Sequence, residues 1–286
     1  MGYINGPNGD ADIVIPKPED IIRITCLGAS TTGNYVDFDG RKFSYPLELE
    51  KILKEKFPEK KIEVNNCGVG GRTSAEILID FELNIIDTEP DIVVLYHGYN
   101  DLAPSLTLGF KSDYSHAKRN LGEIWPYYRI SSVFPDLPIA SYNFFMIHVF
   151  GQNIRYSLLD AISRGKVDLS SNFNGLQTYQ RNIEHIVNLC KSNGITVILS
   201  TFCHYMYEDV KNSKVHLKYH EGVLLENDVM RKIAEKHVLP LVDNNILFPY
   251  EDRFFVDSIH FSPEGMRKLA ENISLPIVEY LKRSMN

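Results

Sequence analysis

Residues 21–33 read IIRITCLGASTTG: an apolar run from Ile21 to Leu27 that stops at Gly28 and passes into a short Gly/Ser/Thr loop. A run of that length bounded by glycine is a strand candidate. The pattern then recurs down the chain. Tyr45 to Phe57 places Leu49, Ile52, Leu53 and Phe57 on one helical face. Lys61 to Asn66 is a second short strand, closed by a glycine-rich turn. Thr73 to Ile86 reads as a helix with Thr73 in the N-cap position. Ile92 to Tyr96 (IVVLY) is a third strand, apolar throughout, as a strand buried on both faces should be.

The second half keeps the rhythm. Leu176, Tyr179, Ile183, Ile186, Val187 and Cys190 form a helical stripe that Gly194 ends, and Ile195 to Leu199 (ITVIL) is strand four. Val223, Asn227, Met230, Ile233 and His237 mark another helix, and Val238 to Val242 is strand five. Ser262-Pro263-Glu264 starts the last helix, with a capping hydroxyl and a proline in the first turn. Pro276 is expected to kink or break that helix. Strands alternating with helices imply an α/β fold in three layers, helices on both faces of a parallel five-stranded sheet. Ligands of such sheets sit beyond the carboxyl ends of the strands. That points to Gly28–Gly33, Cys67–Thr73, His97–Asp101 and the loop before the last helix.

Two stretches depart from the rhythm. Residues 1–20 are rich in Gly, Pro, Asn and Asp and read as an N-terminal arm ahead of one domain over 21–286. Residues 103–172 are an insertion dense in aromatics (Phe110, Tyr114, Trp125, Tyr127, Phe134, Tyr142 among them) and prolines. It leaves strand three on the ligand side, where it either packs as a subdomain or shapes the site.

Composition bounds the function. At 286 residues, with 44 % hydrophobic and 23 % charged residues, the chain can bury a large core without metals or disulfides. A net charge of −7 and the lack of a basic stripe argue against nucleic acid as a partner. None of the four cysteines is spaced as C-x-x-C, so they read as buried thiols, with a Cys26–Cys67 bridge left open. No apolar run reaches the roughly 18 residues of a membrane helix, and the N-terminus lacks the features of a signal peptide. The expectation is a soluble chain with no integral membrane segment, cytoplasmic by default.

Four motifs occupy the positions where the fold predicts a ligand. In Gly28-Ala29-Ser30-Thr31-Thr32-Gly33 a serine can project both its hydroxyl and its own N–H into the cleft. In Asn66-Cys67-Gly68-Val69-Gly70-Gly71-Arg72-Thr73, glycines let backbone N–H groups approach a ligand closely. A phosphate cradle fails there, because no Gly-Lys-Ser/Thr follows and Thr73 stands where Gly-x-Gly-x-x-Gly needs glycine. In Gly98-Tyr99-Asn100-Asp101 a side-chain amide at a strand end can donate to a developing oxyanion. In Asp257-Ser258-Ile259-His260 a carboxylate three residues before a histidine can orient the imidazole. Each alone is also what an ordinary turn contains. Together, in order, they supply a nucleophile, a base with its orienter, and oxyanion donors.

This set resembles the SGNH/GDSL hydrolase family, whose blocks run glycine–aspartate–serine, glycine, glycine–x–asparagine–aspartate and aspartate–x–x–histidine. The resemblance spans strand one to the last helix, leaving out the 103–172 insertion. It implies a flavodoxin-like sheet and a serine esterase that removes small acyl groups, acetyl foremost, with carbohydrate esters as a substrate class. It implies Ser30 as nucleophile, His260 as base, Asp257 as its orienter, and Ser30, Gly71 and Asn100 as the oxyanion hole. It calls for no cofactor and no metal. The family's aspartate between glycine and serine is here Ala29, a departure that bears on how the serine loop is braced. Two alternatives share the fold: an acyltransferase using the same site, and a carbohydrate-binding module without turnover. A metal-dependent phosphoesterase using Asp101, Asp257 and His260 would need a further Asp/His cluster, which the sequence does not offer.

Overall fold

The computed structural model describes residues 13–33, 36–38, 41–118 and 168–283. Most of the 103–172 insertion and the first twelve residues of the arm lie outside the described residues. The chain divides into two compact units: one up to Leu102 together with Leu176 onward, the other Ala103–Gly175.

In the larger unit, β1 (Ile21–Gly28) runs into the four-residue α1 (Ser30–Gly33). The short β2 (Val36–Phe38) and β3 (Arg41–Phe43) pair antiparallel with each other. Then come α2 (Tyr45–Lys56), β4 (Lys61–Gly68), α3 (Ser74–Asp80) and β5 (Ile92–Tyr96). The strand order of the five-stranded sheet is β4-β1-β5, followed by β6 (Thr196–Ser200) and β7 (Leu241–Val242). Every pairing is parallel. Counted along the chain this is the order 2-1-3-4-5, the flavodoxin-like topology, and it places the switch point between β1 and β5.

Side-chain alternation distributes the core. Leu27, Cys67, Val93, Leu95, Val197 and Leu199 join a cluster that continues into α3, α6 (Leu176–Ser192) and α7 (Lys214–His237). The short α8 (Asn244–Leu247) precedes α9 (Pro263–Arg283). The opposite face packs α2 and α9, whose Leu269, Ile273, Ile277 and Leu281 are all buried. The expected three layers are present. The register also decides the cysteines: Cys26 lies opposite Asn66, and Cys67 lies opposite Leu27. A one-residue offset puts two side chains on opposite faces of a sheet. All four cysteines are buried free thiols. At the amino ends of the strands, fully buried Arg23 donates to the carbonyls of Thr88 and Val14 and to Glu63.

Three elements differ from the sequence expectation. Strand five is only Leu241–Val242, because Val238 takes a left-handed φ of 54° as the C-cap of α7. The helix opened by Thr73 is α-helical to Asp80, then widens to a π-turn over Phe81–Ile85 and tightens to 3₁₀ over Ile86–Thr88. Phe81 and Ile85 are thereby both buried in the core. Pro276 does not end α9, which runs on to Arg283; the buried stripe on both sides of the proline holds the helix together where local propensity would stop it.

In the smaller unit, Ser115–Lys118 form a short helix, α5, after α4 (Leu102–Leu106) has crossed the boundary. Phe110 packs edge-on to Tyr114 and to His116. Asp168 N–H donates to the carbonyl of Leu106 (2.9 Å), and Gly175 N–H to Ser105 Oγ (2.8 Å), which ties the segment's end back to its start. Phe173 is buried, and the aromatics within residues 119–167, Trp125 included, lie outside the described residues.

Candidate active site

The serine loop exists because glycine closes it. A Cβ on Gly28 would fall 2.1 Å from Thr32 Oγ1 and 2.5 Å from the Tyr96 carbonyl, so only glycine lets β1 turn this sharply beside β5. The carbonyl of Ala29 accepts from Thr32 N–H (3.1 Å) and Gly33 N–H (2.9 Å), leaving Ser30 at the rim. The side chain of Ala29 is buried and apolar, and the brace comes from elsewhere. Asn66 on β4 donates from Nδ2 to the Thr32 carbonyl (2.9 Å) and accepts at Oδ1 from Gly68 N–H (3.0 Å). One buried amide thus fastens the serine loop to the glycine loop. There the two backbones touch: a Cβ on Gly68 would sit 2.2 Å from Gly33 N. Next along, a Cβ on Gly70 would lie 3.8 Å from Ser30 Cβ, and Gly71 has φ of +76°.

The β5 loop is held from beneath by two carboxylates. Asp101 accepts from Ser74 N–H (2.9 Å), from the Ser74 hydroxyl and from His97 Nε2 (2.7 Å). Asn182 on α6 extends this network to Ser74 Oγ (2.9 Å). Glu226 on α7 accepts from Tyr99 N–H (2.9 Å). Burial first, and then the nearby Asp101, push the Glu226 carboxyl well above its usual range. These supports hold Tyr99 at a left-handed φ of 71°. They also fix Asn100, whose Nδ2 donates to the Arg72 carbonyl at 2.9 Å. Burial, then the charge of Asp257, push the Tyr99 hydroxyl up to about 12.

The third component is a tight loop. Phe255 and Phe261 form an antiparallel bridge, and Val256 N–H donates to the His260 carbonyl (2.9 Å). At its tip Asp257 Oδ1 accepts from the N–H groups of Ile259 (2.9 Å) and His260 (2.8 Å). The other oxygen, Oδ2, lies 2.7 Å from His260 Nδ1, and His260 Nε2 lies 2.8 Å from Ser30 Oγ. With Nδ1–H donating to the Asp257 carboxylate, Nε2 is left to accept the serine proton. Burial alone would raise the Asp257 carboxyl. The His260 ring, the two backbone N–H groups and the charge of His260 outweigh it and hold the group below its ordinary value. The Asp257 side chain is 54 % exposed and that of His260 26 %, so solvent reaches this line.

All five residues predicted from sequence stand at the carboxyl edge of the sheet: Ser30 opens α1 after β1, Gly71 and Asn100 lie on the loops after β4 and β5, and Asp257 and His260 on the loop before α9. Ser30, His260 and Asp257 form one hydrogen-bonded line; Gly71 and Asn100 lie on the two loops flanking the serine strand. Asp101, a turn residue by sequence, is a buried brace. Asn66, Ser74, Asn182 and Glu226 were not foreseen. Nor was His204: its Nδ1 meets His220 Nδ1 at 3.1 Å. Burial, then the charges of His220 and His216, bring it down to about 3 against a weaker pull from Asp257. It stays neutral beside Tyr99, where it contacts the aromatic ring. Among the described residues no three His, Cys, Asp or Glu side chains gather in a metal-binding group.

The sequence matches the GDSL-like Lipase/Acylhydrolase family over residues 26–268. The chain belongs to that family. It is a carboxylic ester hydrolase, and the fold is shared with solved esterases. The acetyl xylan esterase AlAXEase superposes with a TM-score of 0.53 at 16 % identity, covering 88 % of this chain and 98 % of its own. The lipase/acylhydrolase from Enterococcus faecalis gives 0.51 at 20 % identity, covering 89 % and 94 %. The acetylxylan esterase Axe2 from Geobacillus stearothermophilus gives 0.52 at 19 % identity, covering 88 % and 91 %. No curated protein sequence matches the chain. Among the described residues no helix of this esterase is long and apolar enough to cross a membrane.

Proposed function

We propose that this esterase hydrolyses small acyl esters, acetyl foremost, through an acyl-enzyme on Ser30. The observation that carries the reading is the unbroken line from Ser30 Oγ to His260 Nε2 (2.8 Å) and from His260 Nδ1 to Asp257 Oδ2 (2.7 Å). His260 takes the hydroxyl proton as Ser30 Oγ attacks the ester carbonyl. The carbonyl oxygen becomes an oxyanion held by the N–H groups of Ser30 and Gly71 and by the Asn100 amide. Arg72 takes one N–H of that amide and fixes its plane. Such a donor is worth about 2.7–4 kcal/mol in the transition state. The C–O bond then breaks as His260 returns the proton to the leaving alcohol oxygen. Water repeats the cycle on the acyl-serine and frees the acid.

Acetyl esters of carbohydrates are the favoured substrate class, because two of the structural neighbours above are named as acetyl xylan esterases. The test is hydrolysis of p-nitrophenyl acetate, butyrate and octanoate by the wild type and by Ser30→Ala, with and without EDTA. Acetate should be fastest, EDTA without effect, and Ser30→Ala should lose at least ~10⁴-fold in kcat. Turnover that persists in Ser30→Ala would overturn the nucleophile assignment.

A further inference from the structure

Beside Ser30 lies a cavity of about 210 Å³ lined by Thr31, Val256, Phe261 and Met266 together with the Ser30, His260 and Asp257 side chains. We infer that this cavity is the subsite for the leaving alcohol, and that it selects an alcohol that presents an apolar face about one ring in size, such as the C–H face of a sugar. The inference rests on the serine mechanism proposed above and adds to it the identity of the alcohol side.

The argument is one of direction. In the tetrahedral intermediate the former carbonyl carbon carries four groups: Ser30 Oγ, the oxyanion, the acyl chain and the alcohol oxygen. The oxyanion points to the donors on the β4 and β5 loops. No residue of those loops lines the cavity; its walls come from α1, the 255–261 loop and the first turns of α9. The alcohol oxygen must meet His260 Nε2, because the proton that left Ser30 leaves with it. The group attached to that oxygen therefore extends into the space on the His260 side, and this cavity is that space.

The walls say what fits. Apart from Asp257, Ser30 and His260, which are committed to one another, and the Thr31 hydroxyl, the lining is aliphatic, aromatic and thioether. A dry apolar cavity of about 150 Å³ accommodates benzene, so a single ring fits in 210 Å³. A sugar would enter with its C–H face against Val256, Phe261 and Met266, because among the described residues of these walls only the Thr31 hydroxyl is polar and not committed to the Ser30–His260–Asp257 line. Val256 is 57 % exposed at the mouth and its backbone N–H, not its side chain, holds the loop. It is therefore the position at which the wall can be changed while the loop keeps its bonds.

The experiment compares kcat/KM for methyl, benzyl and cyclohexyl acetate, and for methyl acetate against methyl octanoate, in the wild type and in Val256→Ser and Val256→Trp. Removing the valine methyls should lower the benzyl-to-methyl ratio about fivefold. Filling the mouth with Trp should lower it further. The octanoate-to-acetate ratio should hold in both variants. Circular dichroism and melting temperature establish that the variants are folded, and two substitutions of opposite size keep the test open if one fails. If the acyl-length ratio moves and the alcohol ratio does not, the cavity is the acyl pocket and the inference is wrong. It is also wrong if neither ratio moves in the folded variants. Failure of the underlying mechanism reads out separately, as esterase activity surviving in Ser30→Ala.

Discussion

Two groups of serine, histidine and aspartate lie in the larger unit, and they are wired in opposite order. At the rim the histidine is in the middle, between Ser30 and Asp257, and solvent reaches it. Beneath the β5 loop the aspartate is in the middle: Asp101 accepts from both Ser74 and His97, and the His97–Asp101 pair is buried. The same side chains thus have different chemistry. A histidine between hydroxyl and carboxylate has one nitrogen free to accept a proton. A carboxylate between hydroxyl and histidine has both oxygens occupied, and it pins the N-terminus of α3 to the loop that carries Asn100. Connectivity and access, rather than residue type, separate a reactive cluster from a brace.

The largest contrast comes from breaking each cluster at its serine and its carboxylate. Ser30→Ala removes turnover and should leave the melting temperature within a degree or two, because the Ser30 side chain sits at the rim with His260 as its partner. Asp101→Ala should do the reverse in cause. It strands the Ser74 N–H, the Ser74 hydroxyl and the His97 N–H in a buried site, each without its acceptor. That costs about 3 kcal/mol or more, a drop of roughly 6–12 °C in Tm for a protein of this size. Ser74→Ala should fall between, losing stability and keeping most activity. A Ser74→Ala variant that is fully folded and as inactive as Ser30→Ala would remove the distinction.

The middle effect concerns the carboxylate at the rim. In serine hydrolases with a buried orienting aspartate, the asparagine variant loses about 10⁴-fold in kcat because the imidazole takes the wrong tautomer. Here the side chain of Asp257 is 54 % exposed, and the loop geometry is held independently by the Phe255–Phe261 bridge and the Val256–His260 bond. Water can supply part of what the carboxylate supplies. Asp257→Asn should therefore cost on the order of 10²-fold, measured as kcat on p-nitrophenyl acetate. A loss of the full 10⁴-fold would mean that substrate binding dries this loop and makes the rim cluster behave as a buried one.

How far the sequence shows this contrast depends on the range of the interactions involved. The rim cluster was legible through two local motifs, a glycine-terminated strand with serine two residues on and a carboxylate three residues from its histidine, and it was the family resemblance that joined them across 230 residues. The parallel, three-layered sheet was legible because strand and helix periods alternate on either side of the 103–172 insertion, and its flavodoxin-like order came with the family resemblance. The brace was not, since Asp101 meets Ser74 at a separation of 27 residues and Asn182 joins at 108 from Ser74. One signal was available for Glu226: it falls three residues after Val223 on the buried stripe of α7, where an acid needs a partner. That partner is Tyr99 N–H, 127 residues away. The π-turn at Phe81, the passage of α9 through Pro276 and the shortening of β7 share a cause. At each, tertiary packing or a cap decides against the local propensity, and the sequence window holds only the propensity.

The smallest predicted effect tests whether Asp257 is ionised for the reason given. Its carboxyl is depressed in the folded state, although burial opposes this. A depressed carboxyl contributes stability above its unfolded value, about 3.9, and loses it as pH falls through the folded value. For a side chain this exposed, solvent screening keeps the contribution under about 1 kcal/mol. Urea denaturation of the wild type and Asp257→Asn should therefore show a small gap at pH 7 that shrinks as pH falls below about 3.9. If the gap instead widened on acidification, burial would be winning over the His260 ring and the two N–H donors. Asp257 would then be held neutral, the rim cluster would lack its negative end, and the contrast with the buried cluster would have to rest on access alone.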